Sequence, residues 1–217
     1  FPMPFVHAMT IGEIALWSKK ERGILKVSEK VRKAGELAIV PMKNWKRATT
    51  WPQTGLKWIP TSPNIPTLDA VAGYPMTGLG AQMGKFKHGI GTSKPFRFLT
   101  YGNKTPTELK TELDQIGIGG LEFKSMSLVN SSGKKVEGVY IVLKDWNDWD
   151  PTELAFQMMR LAAKWESPSP FSKAEESEIT LFNKHVGSQD WWDHLLSSGE
   201  NCNVEKFRSD WSIEISQ

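Results

Sequence analysis

The chain has 217 residues, 39% of them apolar and 24% charged: globular composition, long enough for one large domain or two small ones. Its 27 basic and 24 acidic residues leave a net charge of +3, too small and too scattered to argue for nucleic acid. One cysteine, Cys202, excludes an intrachain disulfide and a multi-cysteine metal site, and with no run of 18 apolar residues no membrane span is expected.

The chain opens Phe1-Pro2-Met3-Pro4, without an initiator Met or a signal-type apolar segment, and reads as a processed product or one piece of a longer protein. Thr10-Ile11-Gly12-Glu13 is a capping box, so a helix is expected from Thr10 towards Glu21. Glu36 to Val40 reads as a short buried strand stopped by Pro41. From Met42 to Pro66 there is no periodicity, and four prolines and three tryptophans predict a long ordered loop. Thr67 opens a short helix over Leu68–Ala72. Gly78 to Gly91 then holds five glycines in fourteen positions. Phe96–Thr100 alternates as a strand. Thr105-Pro106-Thr107-Glu108 is a second capping box, with a helix to about Gln115. Leu121–Leu128 and Val136–Leu143 form two strands around the turn Asn130-Ser131-Ser132-Gly133. Asp150-Pro151-Thr152-Glu153 starts a helix whose apolar stripe runs through Leu154, Met158, Leu161 and Trp165. After a break at Ser167–Pro170, two or three short helices fill the remainder, with Ser188 and Asn203 as caps.

Strands interleaved with helices mean α/β or α+β architecture. The natural boundary lies near residues 95–104, which separates 1–100, the loop-rich half, from 101–217, a smaller α+β domain.

Common catalytic motifs are missing: there is no Walker loop, no G-x-S-x-G elbow and no H-E-x-x-H. His7, His88, His185 and His194 are too dispersed for a metal site on spacing alone, so no metal or cofactor is expected. Two loops stand out. In Trp58 to Thr67, prolines at 60, 63 and 66 stiffen the backbone. Such a loop presents Ser62 and Asn64 at fixed positions to a ligand, or it is a crossover whose polar groups satisfy their own backbone. In Gln82 to Ser93, glycines allow close approach of a ligand, and Lys85, Lys87 and His88 suit a carboxylate or phosphate. The alternative is a solvated, flexible loop. The ten tryptophans, with Trp45, Trp51 and Trp58 in one polar stretch, fill cores and hinges or offer flat faces to sugar C–H groups.

At these residues the chain resembles a known family. His7-x-Met9-Thr10-Ile11-Gly12-Glu13 is similar to the "HGMTIGE" run of the bacterial family first catalogued as a domain of unknown function and later known for NamZ-type exo-β-N-acetylmuramidases. Val40 to Trp45 resembles its "VPM-x-GW", and Trp51 to Trp58 its "W-x-x-TGLPW". Ser62 to Thr67 is its "SPNIPT". Tyr74-Pro75-x-Thr77 resembles "YPGT", and Gly91 to Phe96 resembles "GTT-x-PF". Gly138-Val139, with Asp145 and Pro151, resembles its "GVQIHVTD" strand and the helix after it. The matching blocks span nearly the whole chain in order.

The resemblance implies an α/β fold: part of a Rossmann-like layer, then a smaller α+β domain. It implies removal of terminal N-acetylmuramic acid from peptidoglycan fragments, in an exported, periplasmic or extracellular setting. It implies that His7, Asn64, Gln82, Lys85 and His88 bind sugar hydroxyls, the acetamido group or the lactyl carboxylate, and that Trp45 and Trp58 shape the pocket. Two departures count against the enzyme. The family's loop reads close to "EGTNxSEGRGTT", and here Gln82 and His88 replace both glutamates. The family also carries an N-terminal Rossmann-like stretch, which supplies the glutamate proposed as catalytic, and the match places the start of this chain after it. Glycoside hydrolysis generally needs one carboxylic acid and a second group as nucleophile or base. Gln82 supplies neither, leaving His88 as the candidate for acid–base work. Glu13 is committed to its cap, and Asp69 in the first turn of a helix reads more readily as structural than catalytic. Three readings remain: a glycosidase, a non-catalytic glycan-binding or structural descendant, and a chain that pairs with a separate N-terminal chain.

Overall fold

The computed structural model describes residues 3–80 and 83–214. They form two compact units, one of residues 7–58 and one of 3–6 with 59–214.

In the first unit, α1 (Ile11–Lys20) starts on the expected capping box. The Thr10 hydroxyl accepts from the Glu13 amide at 3.2 Å, and the Glu13 carboxylate accepts from the Thr10 amide at 2.7 Å. α2 (Glu29–Ala34) is capped by Ser28. The two helices exchange cations at their C-terminal ends, where carbonyls lack intrahelical partners. The Lys19 ammonium reaches the carbonyls of Arg32 and Gly35, and the Arg32 guanidinium reaches those of Lys19 and Lys20. Arg47 ties the later loop back to Glu13 and the Ala8 carbonyl.

The strand expected at 36–41 is absent. Glu36 to Pro41 is extended but unpaired, and Val40 is 90% exposed. A strand exists only by hydrogen bonding to a neighbour, and no described residue supplies one. Residues 42–58 are irregular, as expected, apart from a 3-10 turn at Trp51–Thr54. No described residue of 7–58 is buried.

The second unit is a mixed α/β body around one antiparallel sheet. α3 (Leu68–Thr77), capped by Thr67, runs one turn beyond the expected Ala72 and carries Pro75 inside it. β1 (Phe86–Lys87) and β2 (Phe98–Tyr101) follow, then α4 (Pro106–Ile116), β3 (Leu121–Val129) and β4 (Lys135–Leu143). The sheet order is β1-β2-β4-β3. The β3–β4 hairpin is the one read from the sequence, in register from Leu121↔Leu143 to Val129↔Lys135. β2 lies on the other side of β4, with Phe98 opposite Tyr140.

Alternation sends Leu99, Tyr101, Val139 and Ile141 to the inner face, where they meet Leu109 and Leu113 of α4. α5 (Glu153–Trp165) is amphipathic: Glu153, Gln157, Arg160 and Lys164 line its outer stripe, while the rest of its surface makes it the central rod of the core, burying seven residues. α6 (Glu176–Val186), α7 (Gln189–Ser198) and α8 (Val204–Glu214) add aromatic packing: Phe156 meets Trp191 edge-on at 4.9 Å, and Phe182 meets Trp192 at 4.9 Å.

One buried cation holds this unit together. Arg97, 3% exposed, donates twice to the Ile141 carbonyl, at 3.0 and 2.8 Å, and once to Asp69 at 2.6 Å. This carboxylate thereby joins the start of α3 to the sheet, in keeping with its structural reading.

Candidate functional site

The proline-rich loop folds as a tight turn. The Ser62 carbonyl accepts from the Ile65 amide at 2.9 Å, and the Ser62 hydroxyl accepts from the Asn64 amide at 3.2 Å. Ser62 satisfies local backbone, while the exposed Asn64 carboxamide makes no hydrogen bond among the described residues.

The loop 88–96 is fastened rather than loose. The His88 carbonyl accepts from the Phe96 amide at 2.6 Å, and the Gly89 carbonyl accepts from both the amide and the hydroxyl of Thr92, at 3.0 and 2.7 Å. Gly89 has φ +75°, and a Cβ there would lie 2.4 Å from the Lys94 carbonyl oxygen. Only glycine fits. The Gly91 carbonyl accepts from the Ser131 amide at 2.7 Å, which locks the loop to the tip of the β3–β4 hairpin. That tip is itself an Asx turn: the Asn130 side-chain oxygen accepts from the amides of Ser132 and Lys134, at 3.1 and 2.8 Å.

These three segments enclose a surface hollow of about 370 Å³. Pro63, Asn64 and Pro66 form one wall, Gly91 to Ser93 with Pro95 another, and Val129 to Ser131 the third. The lining is neutral, with an amide, hydroxyls and proline rings. A second hollow of about 470 Å³ adjoins it, since Thr92 and Asn130 line both. Lys87, Lys134, Lys135 and Glu137 bring charge to this one. Glu137 is the one carboxylate lining either hollow. Its contact with Lys135, at 2.7 Å, holds it below the ordinary carboxylate range, so it is ionised rather than poised as an acid.

Of the remaining site candidates in residues 59–214, neither His88 nor Lys85 lines either hollow. His88 is half-buried with its ring stacked on Phe96 at 5.1 Å, and it lines neither hollow. Burial holds its pKa below the usual imidazole value, with the Thr77 carbonyl opposing the shift. Lys85 lies 3.4 Å from the Glu166 carboxylate, which also accepts from the Tyr101 hydroxyl at 2.6 Å. Burial and this acceptor together hold the Tyr101 phenol well above its normal range. His7, Trp45 and Trp58 belong to the unit 7–58. There the His7 Nδ1 accepts from the Met9 amide at 3.1 Å, and Trp58 stands edge-on to Trp51 at 5.6 Å. Gln82 lies outside the described residues.

Thr92, Ser93, Asn130 and Ser131 line the hollow without having been singled out from the sequence as binding residues. The first two sit in a matching family block, but the hairpin read only as a turn. No cluster among the described residues has the composition of a metal site, and no described helix is long and apolar enough to cross a membrane.

Fold and site together define a mixed α/β protein with a neutral, amide- and hydroxyl-lined surface hollow beside a basic one. Residues 1–69 match the family "Exo-beta-N-acetylmuramidase NamZ, N-terminal", and residues 72–217 match "Exo-beta-N-acetylmuramidase NamZ, C-terminal". The chain belongs to the NamZ family. It is 29% identical over 164 residues to the peptidoglycan beta-N-acetylmuramidase NamZ of Bacillus subtilis (strain 168), a match covering 74% of this chain and 37% of that protein. It also resembles the crystal structure of a DUF1343 family protein from Bacteroides fragilis, with a TM-score of 0.75 and 26% identity, over 94% of this chain and 52% of that one. The chain thus spans about half of the solved relative's length or less of the curated one's.

Proposed function

We propose that this chain recognises a terminal N-acetylmuramic acid unit of peptidoglycan, as part of an exo-acting β-N-acetylmuramidase. One observation carries the reading: Asn64, in the segment that matches the family word for word, leaves its carboxamide free in a hollow ringed by the Gly91–Ser93 loop and the Asn130–Ser131 turn. An uncharged lining of amides and hydroxyls suits hydroxyl and acetamido groups, which recognise by hydrogen bonding. The Bacillus subtilis relative is named for this substrate class.

A second reading rests on the carboxylates. The neutral hollow has none, and the adjoining one holds only the ion-paired Glu137. Retaining or inverting hydrolysis generally needs two suitably placed carboxyl groups. This favours glycan binding without turnover by these residues alone. His88, the substitute acid–base candidate, is half-buried outside both hollows, with its pKa held down by burial.

On the same reading, residues 7–58 belong to a Rossmann-like layer completed by further polypeptide, for which a separate N-terminal chain is one candidate. Support comes from the unburied apolar residues of that unit and from the greater length of the relatives. A peptidoglycan ligand suits the exported, periplasmic or extracellular setting that the family resemblance implies.

Incubating the full chain with a chromogenic β-N-acetylmuramide separates the readings. Dye release supports the glycosidase, and binding without release supports the glycan-binding protein. An Asn64→Ala variant that binds as tightly as the wild type removes the hollow from either account.

A further inference from the structure

The second hollow has features that the neutral one lacks. Strand register builds it. Lys87 of β1 pairs with Thr100 of β2, and Phe98, two residues earlier on β2, pairs with Tyr140 of β4. Alternation along each strand then places Lys87, Phe98, Thr100 and Val136 on the same face of the sheet. That face is opposite the helical core, and Phe98 and Val136 give the hollow an apolar floor. Lys134 and Lys135 rise at its edge from the start of β4.

The three lysines differ in occupation. Lys135 is held by Glu137 at 2.7 Å, whereas the ammonium groups of Lys87 and Lys134 have no ion-pair partner among the described residues. Two unpaired cations over an apolar floor, beside a neutral hollow that shares Thr92 and Asn130 with it, form a bipartite surface. One part suits hydroxyls and amides, and the other suits an anion on a short apolar stem.

We propose that this basic hollow is a carboxylate subsite, in which Lys87 and Lys134 hold the anionic substituent of the sugar bound beside Asn64. The inference rests on the glycan-binding reading above and extends it. The carboxylate has two chemical sources: the lactyl ether of a muramyl unit, or a short peptide amide-linked to that ether. The lactyl carboxylate lies a few bonds from the sugar ring beside a methyl group. Amidation consumes that acid, and the peptide carries its own carboxylate much further out on a methylene arm, so the two sources reach the lysines at different distances from Asn64. A charged hydrogen bond to an ammonium is stronger than a neutral one, so the subsite discriminates by charge.

Isothermal titration of the full chain and its K87A/K134A double variant tests this with three probes. They are the methyl β-glycoside of N-acetylmuramic acid, the same compound with its lactyl carboxylate converted to the methylamide, and N-acetylmuramoyl-L-alanyl-D-isoglutamine. The wild type is expected to bind at least one charged probe about ten-fold more tightly than the neutral amide, a preference weakened by salt. The double variant is expected to bind all three equally, at the level of the amide. The charged probe that shows the preference identifies the source of the carboxylate. Both substituted positions are exposed, so an unchanged melting temperature checks the variant's fold. If the wild type binds the amide as tightly as both acids, or the double variant keeps the preference, the subsite is overturned while glycan binding stands. If no muramyl probe binds, glycan binding falls and the subsite falls with it.

Discussion

Asn64 and Gly89 do different work on two adjoining hollows. Asn64 offers a free carboxamide, and its loss removes hydrogen bonds to ligand without disturbing the core. Asn64→Ala should weaken muramyl binding about ten-fold with little change in melting temperature, read by titration calorimetry and thermal denaturation. Gly89 carries the loop. Alanine there meets the Lys94 carbonyl at φ +75°, so Gly89→Ala should destabilise by about 2 kcal/mol or more, measured by urea unfolding. His88 makes a prediction in pH. Its folded pKa is lowered by burial, so the unfolded chain binds the proton more readily. Stability is then fully present above the unfolded value near 6.5 and is lost as pH falls through and below it. The carboxylates held down by their partners, Glu13, Glu108, Glu122 and Glu137, act below the ordinary carboxylate value of 4.5, a separate window. His88→Phe keeps a ring against Phe96 and should flatten the loss as pH falls below about 6.5. An unchanged slope would show that the imidazole stays neutral in neither state more than the other. Of these residues, Asn64 was legible in the sequence, because prolines on both sides fix its turn locally. Asn130 and Ser131 were not: they reach the hollow through a contact with Gly91 some forty positions away, which depends on how β2 inserts beside β4.

Helices read from the sequence where a capping box fixed their start. Asp150, expected to cap the helix after Pro151, instead accepts from the Thr152 amide, and that helix begins at Glu153, while α2 behind Ser28 went unread. Thr10 with Glu13 and Thr105 with Glu108 make both bonds of the capping box, and each helix begins where those residues place it. The β3–β4 hairpin read equally well, since the Asn130 turn and the alternation on either side of it are local. α3 was foreshortened because Pro75 is a helix breaker by propensity; here it is buried within the helix, and the Thr77 hydroxyl donates to the Gly73 and Phe96 carbonyls nearby. β1, two residues long, is too short for any alternation to show. The run 36–41 failed for the opposite reason: its composition is that of a strand, and pairing is not a property of composition. The sheet and α3 depend on Arg97, which the sequence marked only as one residue of an alternating segment. Arg97→Met leaves the Ile141 carbonyl without its two charged donors and frees Asp69. Loss of about 2–4 kcal/mol is expected in chemical denaturation. Asp69→Asn, whose partly exposed side chain still accepts from Arg97, should cost under about 1 kcal/mol. Equal losses would mean that the ion pair, rather than the carbonyl contact, holds the sheet to α3.

At the scale of the whole molecule, the apolar residues are unevenly spent. Residues 59–214 hold every buried apolar residue of the described chain, and all but Ala70, Phe96 and Phe98 gather into one cluster that runs from Ala72 to Trp211. In 7–58, by contrast, Ile11 is 86% exposed, Val40 90%, and Val31 and Met42 are exposed as well. Burying an aliphatic side chain contributes roughly 1.5–3 kcal/mol, whereas fixing each residue's backbone costs about 1–2 kcal/mol. A segment with no buried residue therefore has little to offset its ordering beyond caps and the Lys19–Arg32 exchange, and its opening free energy should lie far below the global value. Hydrogen exchange read by mass spectrometry on the full chain should show β2, β4 and α5 protected to the limit set by global unfolding. Amides in 7–58 should exchange through local opening many times faster, and a protease should cut there first. If exchange in α1 and α2 is instead as slow as in α5, a core that the exposures do not reveal stabilises them. If it is fast alone but slows when a polypeptide carrying the additional part of a longer family relative is added, the exposed Leu37–Val40 run is the surface being covered, since pairing that run would protect its own amides along with the helices beside it.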